Sequence, residues 1–78
     1  MDMNEGAKMR HWDAGEVGCG AFIAGLRREL DQVEPGEMLS VTAGNAGAPV
    51  DLPAWCGMTG HALVHADHPF YVVRKRLS

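Results

Sequence analysis

Asp51-Leu52-Pro53-Ala54-Trp55-Cys56-Gly57-Met58-Thr59-Gly60-His61-Ala62-Leu63 reads as a helix, its stop and the start of a strand. Asp51 is a good N-cap, because its carboxylate can accept a hydrogen bond from the unpaired N–H groups of a first turn. Leu52 and Pro53 follow in that turn, where the missing N–H of proline does no harm. Leu52, Trp55, Cys56 and Thr59 recur on one helical face, and Gly60 suits the left-handed conformation that ends a helix. Beyond this stop, residues 61–66 and 70–76 read as strands. Asp67-His68-Pro69 joins them too tightly for anything but a hairpin.

Upstream, Gly44-Asn45-Ala46-Gly47-Ala48-Pro49 is a turn-rich loop. Before it, Leu39, Val41 and Ala43 alternate with Met38, Ser40 and Thr42, so residues 38–43 form a strand with one face more apolar than the other. Pro35-Gly36 separates this strand from residues 20–33, where Phe22, Leu26, Leu30 and Val33 recur at helical spacing. Residues 8–13 read as a short strand with Arg10 and Trp12 on one face and Met9 and His11 on the other. Residues 1–7 read as a loose tail, leaving one domain over 8–76. The order is βαβαββ. It predicts an α/β two-layer sandwich, with a four-stranded mixed sheet and two helices on one face.

Gly15-Glu16-Val17-Gly18-Cys19-Gly20-Ala21-Phe22 leads from the first strand into the first helix. Cys19 is therefore expected at a helix N-terminus, where unpaired backbone N–H groups and the positive end of the dipole favour a thiolate. A packed, inert cysteine is the alternative. Cys56, beside Leu52 and Trp55, reads as core; its sharper reading is a resolving thiol that pairs with Cys19.

Seventy-eight residues with 46% apolar side chains suit one small globular domain. A net charge of −3 and the lack of an interleaved aromatic platform argue against nucleic acid. No apolar run approaches the length of a membrane span, and the polar, acidic start is unlike a signal peptide, so a cytoplasmic protein is expected. His11, His61, His65 and His68 lack zinc spacing, and His61 is expected to hydrogen-bond locally near the helix end. Arg27, Arg28, Arg74, Lys75 and Arg76 form the basic clusters, read as a solvated face, as a surface that steers an acidic partner, or as indirect help in lowering the pKa of Cys19.

Taken in order, Asp13-Ala14, Cys19 before a helix, Glu34-Pro35-Gly36-Glu37, Asp51-Leu52-Pro53-Ala54-Trp55-Cys56, Gly60-His61-Ala62-Leu63 and Tyr71-Val72-Val73-Arg74-Lys75 form a recognisable series. It resembles the TusA/SirA-like sulfur-carrier family over residues 9–75. The resemblance implies a two-helix, four-strand fold and a persulfide relay through Cys19. Sulfur would come from a donor such as a cysteine desulfurase or a rhodanese and pass to an acceptor protein. It implies no metal and no organic cofactor, and a monomer is expected. The family's Cys-Pro-x-Pro motif reads Cys19-Gly20-Ala21-Phe22 here, without either proline, and its acidic-proline step is replaced by Gly44-Asn45-Ala46. The chain thus reads as a divergent member. A non-catalytic protein-interaction or regulatory module on the same fold is the alternative function, and a Cys19–Cys56 redox module is a third.

Overall fold

Leu39, Val41 and Ala43 alternate with more polar neighbours, and all three are fully buried. A strand with that pattern belongs inside a sheet covered on one face. The computed structural model describes residues 9–77, with Cys19 described by its backbone alone; the expected tail over residues 1–7 lies outside them. Its elements run β1 (Arg10–Gly15), α1 (Cys19–Leu30), β2 (Met38–Ala43), α2 (Ala48–Thr59), β3 (Ala62–Asp67) and β4 (Phe70–Arg74). The sheet order is β1-β2-β4-β3, with β1 parallel to β2 and β4 antiparallel to both β2 and β3. This is the mixed four-stranded sheet with two helices that the sequence predicts.

Both helices cover the face that carries Leu39, Val41, Tyr71 and Val73. Helix α1 contributes Phe22, Leu26 and Leu30 to the core, and α2 contributes Leu52, Trp55 and Cys56. Arg10 and Trp12 lie on the helix side of β1, as expected from its alternation. Arg10 Nε donates to Glu29 Oε1 of α1 at 2.7 Å, and the Trp12 ring stacks on Phe22 with centroids 5.9 Å apart. His11 lies on the opposite face, with Nδ1 2.9 Å from the Ser40 hydroxyl.

Several boundaries differ from the sequence reading. β1 runs two residues further, to Gly15, because parallel pairing with β2 continues through a bulge between Asp13 and Gly15. There Asp13 Oδ1 accepts the Gly15 N–H, and Gly15 takes a φ of 65°. Helix α1 ends at Leu30, and the N–H groups of Gln32 and Val33 turn back to the Glu29 and Leu30 carbonyls, which keeps Val33 buried outside the helix. Asp51 is not an N-cap. Helix α2 starts a turn earlier at Ala48, with Gly47 as its cap and Pro49 in the first turn. The Asn45 side chain nucleates this start by accepting the Gly47 N–H at 2.9 Å. His61 lies just before β3, and β4 ends at Arg74. Gly60 does stop α2, with φ at 88°.

Gly25 lets α1 lie against β1. A Cβ built there would stand 2.5 Å from Cζ2 and 2.6 Å from Cη2 of the Trp12 ring. Alanine would gain about 1 kcal/mol of helix propensity, but overpacking of this kind costs ~1–3 kcal/mol. Stacking on Phe22 limits how far the ring can swing, so the clash should win. Gly25→Ala is expected to lower the urea-unfolding free energy by roughly 1 kcal/mol; an unchanged midpoint would show that Trp12 yields freely.

Candidate functional site

Parallel pairing brings Gly15 and Ala43 side by side at one end of the sheet, and the Gly44 N–H donates to the Gly15 carbonyl at 2.8 Å. Each strand then feeds a helix, α1 from Cys19 and α2 from Ala48. The N-termini of both helices therefore open at the same end. Their dipoles place partial positive charge there.

Cys19 is the first residue of α1. The first helical hydrogen bond runs from the Phe22 N–H to the Gly18 carbonyl at 2.8 Å, so the preceding N–H groups have no intrahelical acceptor. Gly18 has no side chain to cap them, and the first turn carries no acidic residue. The helix start is thus open to an anion. The position of the Cys19 sulfur lies outside the described residues.

The glycines on either side of Cys19 are not required by the backbone. Gly18 has an extended conformation with φ at −69°, and Gly20 is helical without a positive φ. A Cβ on either would meet nothing within 4 Å. Neither strain nor crowding calls for glycine, and their effect is to leave the helix start uncovered. Phe22, which stands where the resembling family has its second proline, is fully buried and stacks on Trp12. A core contact has taken over that position.

Cys56 has the opposite surroundings. It is a free thiol, 3% exposed, on the buried face of α2, and burial pushes its pKa up to about 11. A thiol that resists ionisation is a poor nucleophile. The four histidines are dispersed. His11 faces Ser40 and Thr42, His68 Nδ1 lies 2.6 Å from the Tyr71 hydroxyl, His65 is exposed on β3, and His61 stacks on Trp55. Among the described residues, no group of three His, Cys, Asp or Glu side chains could hold a metal ion. No described helix is long and apolar enough to cross a membrane.

Among the described residues, three basic side chains come together away from the start of α1. Arg27, Lys75 and Arg76 meet at the other end of the helices, where Lys75 Nζ donates to the Val33 carbonyl at 2.9 Å and Arg76 Nη1 to the Thr59 carbonyl. His61 belongs to this end, with Nδ1 accepting the Arg76 backbone N–H at 3.1 Å. The bond is not the local one that the sequence suggests: its partner lies 15 residues away, brought there by the pairing of β3 with β4.

A helix opening on a cysteine, two helix N-termini sharing one sheet end, and this order of strands fit a known family. The model of the sulfurtransferase TusA family matches residues 19–75, beginning at the cysteine itself. The chain belongs to the TusA sulfurtransferase family. Two proteins named as candidate sulfur carriers, from Neisseria meningitidis serogroups A and B, are each 37% identical over 55 residues. Those alignments cover 70% of this chain and 74% of either relative. Membership places the resemblance seen in the sequence on independent ground.

Two outcomes follow from these surroundings. In a Cys19→Ser variant at about pH 8, roughly one Cys56 in a thousand is a thiolate, so iodoacetamide should label Cys56 only after unfolding. Rapid labelling of the native protein, followed by mass spectrometry, would contradict this placement. His61 has its pKa lowered below 6.5 by burial and then by the charges of Arg76 and Lys75. The unfolded chain therefore takes up a proton near pH 6.5 that folded His61 refuses, and stability falls as the pH drops further. Urea titrations should show this acid-side loss to be smaller in His61→Gln than in the native protein.

Proposed function

We propose that this protein is a sulfur carrier whose working atom is the Cys19 sulfur. The observation that carries the reading is the uncapped, uncovered start of α1 on which Cys19 sits. Family membership and the sulfur-carrier relatives point the same way.

The chemistry requires an accessible thiolate and a place for negative charge. The Cys19 thiolate attacks the outer sulfur of a donor persulfide, forming a new S–S bond as the donor's S–S bond breaks. The donor leaves as a thiolate, and Cys19 becomes the persulfide. An acceptor nucleophile then attacks that outer sulfur, and Cys19 leaves as a thiolate in turn. Electrons balance within each exchange, so no external oxidant or metal is needed. The N–H groups and dipole at the start of α1 stabilise the thiolate in both steps. Donor and acceptor are proteins that carry sulfur in this form, such as a cysteine desulfurase or a rhodanese on the donor side. The reducing cytoplasm keeps such a thiol available.

A Cys19–Cys56 redox module is the weaker reading, because Cys56 is buried and held protonated. Both readings are separated by intact-mass spectrometry after incubation with cysteine and a cysteine desulfurase. The carrier gains one sulfur atom, keeps it in Cys56→Ala and loses it in Cys19→Ser. A two-hydrogen loss that needs both cysteines would support the redox module, and failure to take up sulfur from several donors would overturn the carrier.

A further inference from the structure

Both helices lie on one face of the sheet, and among the described residues no layer covers the other. Strand alternation assigns that open face. Tyr71 and Val73 are buried under the helices, so Phe70, Val72 and Arg74 of β4 project the opposite way. By alternation and pairing, β2 adds Met38, Ser40 and Thr42, β1 adds His11, and β3 adds Ala62, His65 and Asp67.

The two ends of this face differ. Where β4 begins, Phe70 is 56% exposed beside Asp67, its pairing neighbour on β3. Where β4 finishes, Arg74 pairs with Met38 on one side and Ala62 on the other. These three side chains line a hollow of about 270 Å³, with Gly36, Gly60 and Leu77 around it. One end thus carries an aromatic knob and a carboxylate, and the other an apolar hollow and a guanidinium. The face complements itself in shape and in charge. Between the ends lie Val72, Ser40 and Thr42, all partly buried. The Ser40 hydroxyl is 2.9 Å from His11 Nδ1 and the Thr42 hydroxyl 3.4 Å from His11 Nε2, so both keep a partner when water leaves.

We infer that this face is a self-association surface, on which a second copy of this chain lies sheet to sheet about a two-fold axis. The axis runs between the two sheets, across the strands at the level of Val72. Phe70 and Arg74 lie about 13 Å apart by the strand rise, with Val72 midway. The rotation therefore lays β4 antiparallel on β4 of the second copy, with Val72 on Val72. Each Phe70 enters the hollow of the other copy, and each Asp67 approaches the other's Arg74. A contact of this isologous kind closes at two copies. Four strands ~4.8 Å apart, each contributing five residues at ~3.3 Å, give a face of about 20 by 17 Å. Two such faces bury on the order of 1,000 Å² with side-chain relief, the lower bound of a specific interface. The start of α1 belongs to the helix layer outside this interface, so the dimer does not depend on sulfur transfer.

Sedimentation equilibrium of the full chain, with reductant present to exclude disulfide dimers, tests this. From about 10 μM to 1 mM it should show a monomer–dimer equilibrium with a Kd on the order of 100 μM. Phe70→Asp should raise that Kd at least about tenfold. Asp67→Arg and Arg74→Asp set like charges together and should each raise it about fivefold, whereas the two combined should restore it to within about twofold. All three positions are exposed, and amide dispersion in NMR spectra checks that each variant is folded. A monomer at ~1 mM would overturn the inference and leave the face to solvent or to a different protein. So would a dimer that Phe70→Asp leaves intact, or a combined charge swap no tighter than its single variants.

Discussion

The parallel pairing of β1 with β2 is the constraint from which the rest follows. Parallel neighbours cannot be joined by a tight turn, so the chain must cross back along the sheet, and it does so as α1. The second crossover, α2, returns the chain to begin β3, and the hairpin into β4 fills the place between β2 and β3. Both helices start where the parallel strands end. One end of the sheet therefore carries two helix N-termini, and the other carries two helix C-termini. The same geometry that completes the sheet divides the molecule electrically.

Each end is finished with different chemistry. At the N-terminal end, α1 opens on Gly18 and Cys19 with neither a side-chain cap nor a carboxylate in its first turn. At the C-terminal end, Lys75 and Arg76 satisfy the Val33 and Thr59 carbonyls, placing cations where the dipoles are negative. This explains why Arg27, Lys75 and Arg76 gather at the end opposite the start of α1. In the proposed carrier, activation of the cysteine would draw on the backbone N–H groups and the dipole of its own helix. The two cysteines are separated by the same logic, one at an open helix start and the other sealed beneath α2.

Loss of the family's prolines has a packing explanation at one of the two positions. Phe22 fills the space between α1 and the Trp12 ring, and Gly25 one turn later gives that ring room. Trp12 links the two: its ring stacks on Phe22 and occupies the room that Gly25 leaves. A proline at position 22 would leave Trp12 without its stacking partner. No such contact explains Gly20, which has open space around it.

By itself, the sequence determined the element order, the apolar face of β2, the stop at Gly60, the core placement of Cys56 and the helix-start placement of Cys19. All of these depend on local periodicity or on the conformational preferences of single residues, which act over a few neighbours. The family could also be read there, because its motifs are short and keep their order. Only the tertiary structure decided where β1 ends, since parallel pairing with β2 extends it through Asp13 and Gly15. The same holds for the start of α2, which Asn45 and Pro49 set in place of Asp51. It also decided that Arg27, Lys75 and Arg76 share one cleft with Trp55. That assembly joins residues almost fifty positions apart, and no periodic signal in a chain records which of its distant charges will meet.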